Sequence, residues 1–313
     1  MTAGRRIVVL GADGFIGRRL IAALAASGWA EPVAGVRRAG ASGGAQRVVV
    51  DAADAASLAR ALSGAAGVIN SVAGAAGTIV ANAQALSEAA RELPVVHLSS
   101  MAVYGSATGS LGEDAPLLGN TGPYAAAKAE AERKLAALSR ACVLRPGIVY
   151  GPGSTQWSER VARWLRAGRV GDLGAAGDGV CNLVHVDDVA AAAAQALRGG
   201  HAGAFNLGSP QPPDWNEYFL RFARALGAVP LRRISRRRLT LETRLLAPPL
   251  KVLEILARKA RLGLRVPPPI PPSLLGTFAL DLRLDVHKAE NVLGMRWRPL
   301  DEGLAQTAAA YPP

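Results

Sequence analysis

The chain has 313 residues, half of them apolar and about a fifth charged, a composition that suits a globular protein of about two domains and argues against disorder. Two cysteines, Cys142 and Cys181, exclude a disulfide framework and paired cysteine metal clusters. The net charge of +12 is local: eleven Lys/Arg and two Glu between Leu231 and Arg265 supply +9 of it, so this is a basic patch rather than a basic protein. No apolar run reaches the roughly 18 residues of a membrane span, and Ile7–Leu10 is a strand-length run rather than a signal peptide. A cytoplasmic location is the default expectation.

Arg5 to Leu10 reads as a short buried strand. Gly11-Ala-Asp-Gly14-Phe15-Ile16-Gly17 follows at once, and Arg18 to Ser27 has helical apolar spacing with Gly28 as its stop. In a strand–turn–helix context the glycines have distinct uses. Gly11 permits the tight turn, Gly14 lets backbone approach a pyrophosphate, and Gly17 lets helix pack on strand. The spacing G-x-x-G-x-x-G therefore points to a dinucleotide. Pro32 to Val36 is a second strand ending in Arg37-Arg38. An acid there would hold a ribose 2′-hydroxyl, whereas arginine suits a 2′-phosphate and hence NADP over NAD.

Val48 to Asp51 is a third strand, and Asp54 to Leu62 a helix with Asp54 as a plausible N-cap. Gly67 to Ser71 is a fourth strand, followed by Val72-Ala73-Gly74. Thr78 to Arg91 is helical, and Pro94 to Ser100 is a fifth strand carrying two hydroxyls at its end. Strands that alternate with helices imply a doubly wound parallel α/β sheet of Rossmann type, with ligands at the strands' carboxyl ends. Tyr124-Ala-Ala-Ala-Lys128 comes next. Residues four apart share a helix face, so the phenol and the ammonium can share a pocket. A free tyrosine titrates near about 10. A cation about 4 Å away at an effective dielectric of ~20 favours the phenolate by roughly 4 kcal/mol, about 3 pKa units before desolvation is subtracted. Y-x-x-x-K also arises by chance on surface helices, so its meaning rests on the motifs around it.

These motifs in order, GADGFIG (11–17), Asp51, Asn70-Ser-Val-Ala-Gly74, HLSSMAVYG (97–105), Tyr124-x3-Lys128, LRPGIVYGPG (144–153), NLVHVDDVA (182–190), FNLGS (205–209) and the closing Lys288-Ala289, Leu293-Gly294 and Gly303-Leu304, resemble the extended short-chain dehydrogenase/reductases, the NAD-dependent epimerase/dehydratase family. The resemblance spans nearly the whole chain. It implies that Tyr124 is the catalytic acid/base, that Lys128 lowers its pKa and holds the nicotinamide ribose, and that Ser100 is the catalytic hydroxyl. It further implies that Asp51 and Ala52 contact adenine, that Val72, Ala73 and Gly74 pass the cofactor's ribose and phosphates, and that Pro146 to Val149, with Ile148 among them, lie beside the nicotinamide. Asn82 matches a helix asparagine of the proton relay, or is an exposed polar residue. His185 matches a mostly structural position.

The departures narrow the chemistry. Dehydratases of the family carry Asp-Glu where Met101 and Ala102 stand, and neither residue can do acid–base work. Cys181 replaces the arginine that grips a sugar nucleotide's diphosphate in typical epimerases, and Ile148 replaces their asparagine. Arg160, Arg163, Arg166 or the basic tract could substitute.

Domain boundaries follow: 1–150 as the dinucleotide-binding domain, rejoined by 181–207, and 151–180 with 208–313 mainly as a smaller C-terminal substrate-binding lobe. Within that lobe the tract 239–262 mixes leucines with Lys251, Arg258, Lys259 and Arg261, and the proline run 267–272 follows as a stiff link. It reads as a lobe helix with its charges in water, or as a basic amphipathic segment contacting a membrane or lining a substrate entry. Nucleic acid is excluded, since aromatics for base stacking are absent there. The expectation is an oxidoreductase moving hydride between NADP and a secondary alcohol or ketone carbon of a small-molecule substrate. A 4-epimerase with tightly held NAD and a non-catalytic dinucleotide-binding protein are the alternatives. The resemblance implies a homodimer through the helices holding Thr78–Arg91 and Tyr124–Arg140.

Overall fold

The computed structural model describes residues 4–40, 44–259 and 268–312. The end of the basic tract, 260–267, with Arg261, Arg265 and the first proline of the 267–272 run, lies outside the described residues. The chain forms two compact units, one of 1–147, 184–210 and 284–297, the other of 148–183, 211–283 and 298–313.

The first unit is built on β1 (Arg5–Leu10), α1 (Phe15–Ala26), β2 (Ala30–Val36), β3 (Gln46–Val49), α2 (Ala55–Leu62), β4 (Gly67–Asn70), α3 (Ala76–Ala89), β5 (Val95–Leu98), α4 (Pro123–Leu135), β6 (Ala141–Pro146), α5 (Val186–Gly199) and β7 (Gly203–Leu207). The seven strands make one parallel sheet in the order β7-β6-β5-β4-β1-β2-β3. Its central strands are apolar on both faces, as burial beneath two helix layers requires. Ile7 to Leu10 of β1 are wholly buried, and so are Val95 to Leu98 of β5. α2, α3 and α4 share one core with the sheet through Leu58, Ile79, Leu86, Ala131 and Leu135. α1 and α5 pack on one another. Register aligns Leu10 with Gly35 and Asn70, and Leu98 with Leu144. The loops 11–14, 37–38, 71–74 and 99–100 therefore leave the sheet along one carboxyl edge.

Local chemistry sets the helix ends. α1 begins at Phe15, three residues earlier than apolar spacing alone suggests, because Gly17 is packed inside the helix rather than left in the loop. A Cβ on Gly17 would overlap the Gly11 carbonyl and lie 2.7 Å from Ala12 Cα. Asp54 caps α2, accepting from Ser57 N at 2.6 Å. Pro123 opens α4 after Gly122, whose φ of 141° suits glycine.

The second unit is built on an aromatic core. Trp164, Trp215, Tyr218, Phe219, Phe222 and Phe278 are fully buried together, with ring centroids of Trp215 and Phe278 4.7 Å apart. Arg169 and Glu242 form a buried ion pair beside them, Nε to Oε2 2.9 Å.

Candidate active site

α4 carries Tyr124, Lys128 and Glu132 at successive four-residue steps, so all three lie on the face turned toward the end of β5. Ser100 lies two residues past that strand. Its hydroxyl accepts from Ala102 N at 3.2 Å, capping the turn Met101–Tyr104, and acts on the Tyr124 phenol closely enough to lower its pKa. Lys128 is 3% exposed, and its ammonium donates to the Leu98 carbonyl at 2.7 Å. Burial lowers its pKa from 10.5 to about 8, and the Glu132 carboxylate opposes that fall.

The expected depression of the Tyr124 pKa is not found. Desolvation raises the phenol above its ordinary 10.0, and the Ser100 hydroxyl pulls it partly back. With Tyr124 46% exposed, the lift is modest. The physical reason is the direction of the lysine: its charge is spent on Leu98 and Glu132, one turn further along α4.

Beneath this pair lies a buried polar network. Arg145 donates to the Glu132 carboxylate from Nε at 3.1 Å and Nη2 at 2.8 Å, to the Tyr104 hydroxyl at 2.9 Å and to the Glu113 carbonyl at 2.8 Å. The Ser99 hydroxyl donates to the same Glu132 carboxylate. Tyr104 donates onward to Asn206 Oδ1 at 2.6 Å. A second cluster joins β4, β5 and α3. Asn70 Nδ2 donates to Asn82 Oδ1 at 2.8 Å and meets His97 Nδ1 at 3.0 Å, and Asn82 Nδ2 donates to the Ala52 carbonyl at 2.8 Å. Asn82 is 1% exposed, which rules out the reading as an exposed helix polar residue. Burial, reinforced by the nearby Lys128 charge, keeps His97 neutral, well below its usual range, and its Nε2 is buried without a partner.

The glycine loop opens the other half of the site. Gly14 is the N-cap of α1, with no side chain filling the helix N-terminus, and Phe15, Ile16 and Gly17 form its first turn. Gly11 has φ 76° and packs against Ser71. Gly74 has φ 150° with open space where a Cβ would stand, and Val72 N donates to Asn70 Oδ1 at 3.3 Å. Arg37 and Arg38 are exposed at the end of β2, and Ala73 is exposed. Asp51 Oδ1 accepts from Ala53 N at 3.0 Å. Asp13, in the loop, accepts from Arg47 Nη2 at 2.8 Å, and its carbonyl accepts from Arg18. These three residues border a cavity of about 740 Å³ beside α1 and the starts of β2 and β3. Pro146 ends β6, whereas Ile148 is a buried residue of the second unit.

Three comparisons bear on this arrangement. The sequence model described as NAD dependent epimerase/dehydratase family matches residues 7–208. The chain belongs to the NAD-dependent epimerase/dehydratase family. A 3-diazoavenalumate denitrifying reductase from a Streptomyces species is 33% identical over 256 residues, 72% of this chain and 83% of that one. Two solved structures are each 25% identical. The dTDP-glucose 4,6-dehydratase DesIV from Streptomyces venezuelae, a double mutant with NAD bound, has a TM-score of 0.71 over 98% of this chain and 96% of its own. MoeE5 in complex with UDP-glucose and NAD has a TM-score of 0.68 over 98% of both chains.

As a family member the protein is an enzyme of the extended short-chain dehydrogenase/reductase type, working with a nicotinamide dinucleotide. The first unit suits such a cofactor on its own terms. An uncapped helix N-terminus behind a glycine turn offers N–H groups and a positive dipole end to a diphosphate. Sequence reasoning missed Glu132, Arg145, Ser99, Tyr104 and the Asp13–Arg47 pair. Glu132 alone had a local signal, its place four residues after Lys128. The others depend on strand register and loop path.

Proposed function

We propose that this enzyme is an NADP-preferring reductase or dehydrogenase that moves hydride between the nicotinamide and a secondary alcohol or ketone carbon of a sugar-like or other hydroxy/keto substrate. The observation that carries this reading is the hydroxyl pair of Ser100 and Tyr124, one helical turn from the buried Lys128. A nicotinamide dinucleotide, when bound, supplies or accepts the hydride. Ser100 holds the substrate oxygen, and Tyr124 gives it a proton in reduction or takes one in oxidation. Lys128 keeps a positive charge beneath the pair and orients a ribose. The loop 11–17, Asp51, Ala52 and 72–74 hold the rest of the cofactor, with Pro146 near its reactive end.

Arg37 and Arg38 at the end of β2 support a 2′-phosphate, and Arg18 adds a cation by the glycine loop, where Arg47 is paired with Asp13. Met101 and Ala102 supply no acid or base for dehydration. The name of the 33% identical relative denotes a reduction. A second reading, a nucleotide-sugar 4-epimerase with tightly kept NAD, draws on the UDP-glucose and NAD bound by MoeE5. Against it, Cys181 stands where the diphosphate-gripping arginine is expected, and it is wholly buried. The α3–α4 pair is where the same reading puts a homodimer contact.

The test is a fluorescence titration with NADPH and NADH, run on the wild type, on Arg37→Ser/Arg38→Ser and on Tyr124→Phe. NADPH should bind more tightly than NADH. Loss of each arginine that holds the 2′-phosphate should weaken NADPH alone, by about ten-fold or more. Tyr124→Phe should keep cofactor affinity while turnover of any substrate found falls by about a hundred- to ten-thousand-fold. Copurified, non-exchanging NAD would overturn the NADP reading and favour the epimerase.

A further inference from the structure

Of the eleven large apolar or aromatic side chains that are exposed among the described residues, six crowd into the stretch 241–256 of the second unit. Leu241, Leu245, Leu246, Val252, Leu253 and Leu256 are between 41% and 65% exposed. The stretch is helical throughout, first as the wider turn Leu241–Leu246 and then as the helix Ala247–Lys259. Leu241, Leu245, Pro249, Val252 and Leu256 recur at steps of four, four, three and four, which is one stripe on a helical path. Leu246 and Leu253 widen it.

The other side of the stretch is fastened to the unit's interior. Glu242 is 6% exposed and bound to Arg169, whose Nη1 also donates to the Pro268 carbonyl at 2.7 Å. Thr243 and Ala247 are buried beside it, as is Leu239 just upstream. With that side held, the leucine stripe faces outward. Cations dominate its sequence: from Leu231 to Leu256 there are seven Lys/Arg against two acids, Glu242 and Glu254. Arg232, Arg236, Arg237, Arg244 and Lys251 are exposed, and Glu242 is consumed by its buried pair.

An apolar stripe of this breadth needs an occupant, and the charge selects it. A second copy in a two-fold contact would bring the arginines of one chain against those of the other, which is repulsive. An apolar layer beneath a negative surface satisfies both features at once. We propose that the face carried by 236–256 docks on an anionic lipid surface. The leucine stripe enters the boundary between headgroups and acyl chains, and the arginines meet the headgroups. The protein would lie on the bilayer, since no helix among the described residues is long and apolar enough to cross it.

The experiment is flotation of the full chain with vesicles of phosphatidylcholine alone, or with one third phosphatidylglycerol, at low and high salt. The chain should float with the anionic vesicles only, and less at high salt. Arg236→Gln/Arg237→Gln should weaken partitioning by roughly five-fold per arginine. Leu245→Asp/Leu256→Asp should abolish it at every salt, with an unchanged far-UV spectrum because both positions are exposed. If that variant misfolds, the arginine variant carries the test alone. No flotation with anionic vesicles at low salt would overturn the proposal, and so would flotation that survives Leu245→Asp/Leu256→Asp. Light scattering showing that this variant turns an oligomer into a monomer would overturn it too, assigning the face to a second copy.

Discussion

Burial sets the proton affinity of Lys128, the ammonium one helical turn from Tyr124. The four-residue step from Tyr124 was legible, and so was the family role of both side chains. That step speaks for the attraction between ammonium and phenolate, whereas the cost of burial depends on what the fold packs around the two groups. In the folded chain burial is the larger influence on both: it lowers the lysine to about 8 and raises the tyrosine. A lysine that is 10.5 when unfolded and about 8 when folded makes the unfolded chain the better proton binder between those values. Stability therefore rises with pH across that window, and below about pH 8 the full penalty is present. The 2.5-unit gap corresponds to roughly 3 kcal/mol. Lys128→Met removes the titrating group. The difference in unfolding free energy, wild type minus Lys128→Met, should become more favourable to the wild type by roughly 3 kcal/mol between about pH 7 and pH 10.5. Urea unfolding of both proteins at the two pH values measures it, and a pH-independent difference would show that Lys128 is not held near 8.

At the scale of elements, α4 is the device that brings the chemistry together. Its alanines let it sit close to α3, and its polar side chains at 124, 128 and 132 point at the end of β5. The strand–helix alternation was readable because central parallel strands are continuous apolar runs, and the helix ends at Asp54 and Gly28 because aspartate and glycine act locally. Start points were less so. β3 runs Gln46–Val49 rather than 48–51, since its pairing is set by Val33 to Val36 of β2 and not by its own hydrophobicity. The partner of Glu132 was also hidden: Arg145 reaches it only because β6 lies beside β5 in a fixed register. That pair is 5–6% exposed at its side chains, so removing one charge strands the other. Glu132→Gln should cost about 3–5 kcal/mol, and the double change Glu132→Leu/Arg145→Met less, because the Arg145 charge is no longer stranded and only Lys128 loses the support of the carboxylate. Urea midpoints of the two variants decide it. Equal losses would mean that packing, rather than charge pairing, is what the network contributes.

For the molecule as a whole, what could be read in advance divides along the two units. The first was legible because its sheet and cofactor turns repeat a physical pattern: apolar strand, glycine turn, amphipathic helix. The second has no such repeat. Its aromatic core joins Trp164, Trp215 and Phe278, residues up to 114 positions apart in sequence, and no local spacing announces that they meet. The return of 284–297 to the first unit was equally silent, since it rests on contacts such as Lys288 Nζ to the Ala204 carbonyl at 2.8 Å. This division has a measurable consequence. A ligand that binds only the native first unit raises its unfolding free energy by about 2.7 kcal/mol when present at roughly 100 times its Kd. Amides of Ile7 to Leu10, wholly buried in the central strand, exchange only when that unit unfolds. NADPH at that level should therefore slow their hydrogen exchange about 100-fold, as read by mass spectrometry of the intact chain after labelling and digestion. Helix Trp215–Ala225, in the core of the second unit, should slow less, as expected of a separate compact body. Unchanged exchange in β1 would sink the assignment of the cofactor to the first unit. Equal slowing in both segments would mean instead that the two units unfold as one cooperative body, and that NADPH is felt through the whole chain.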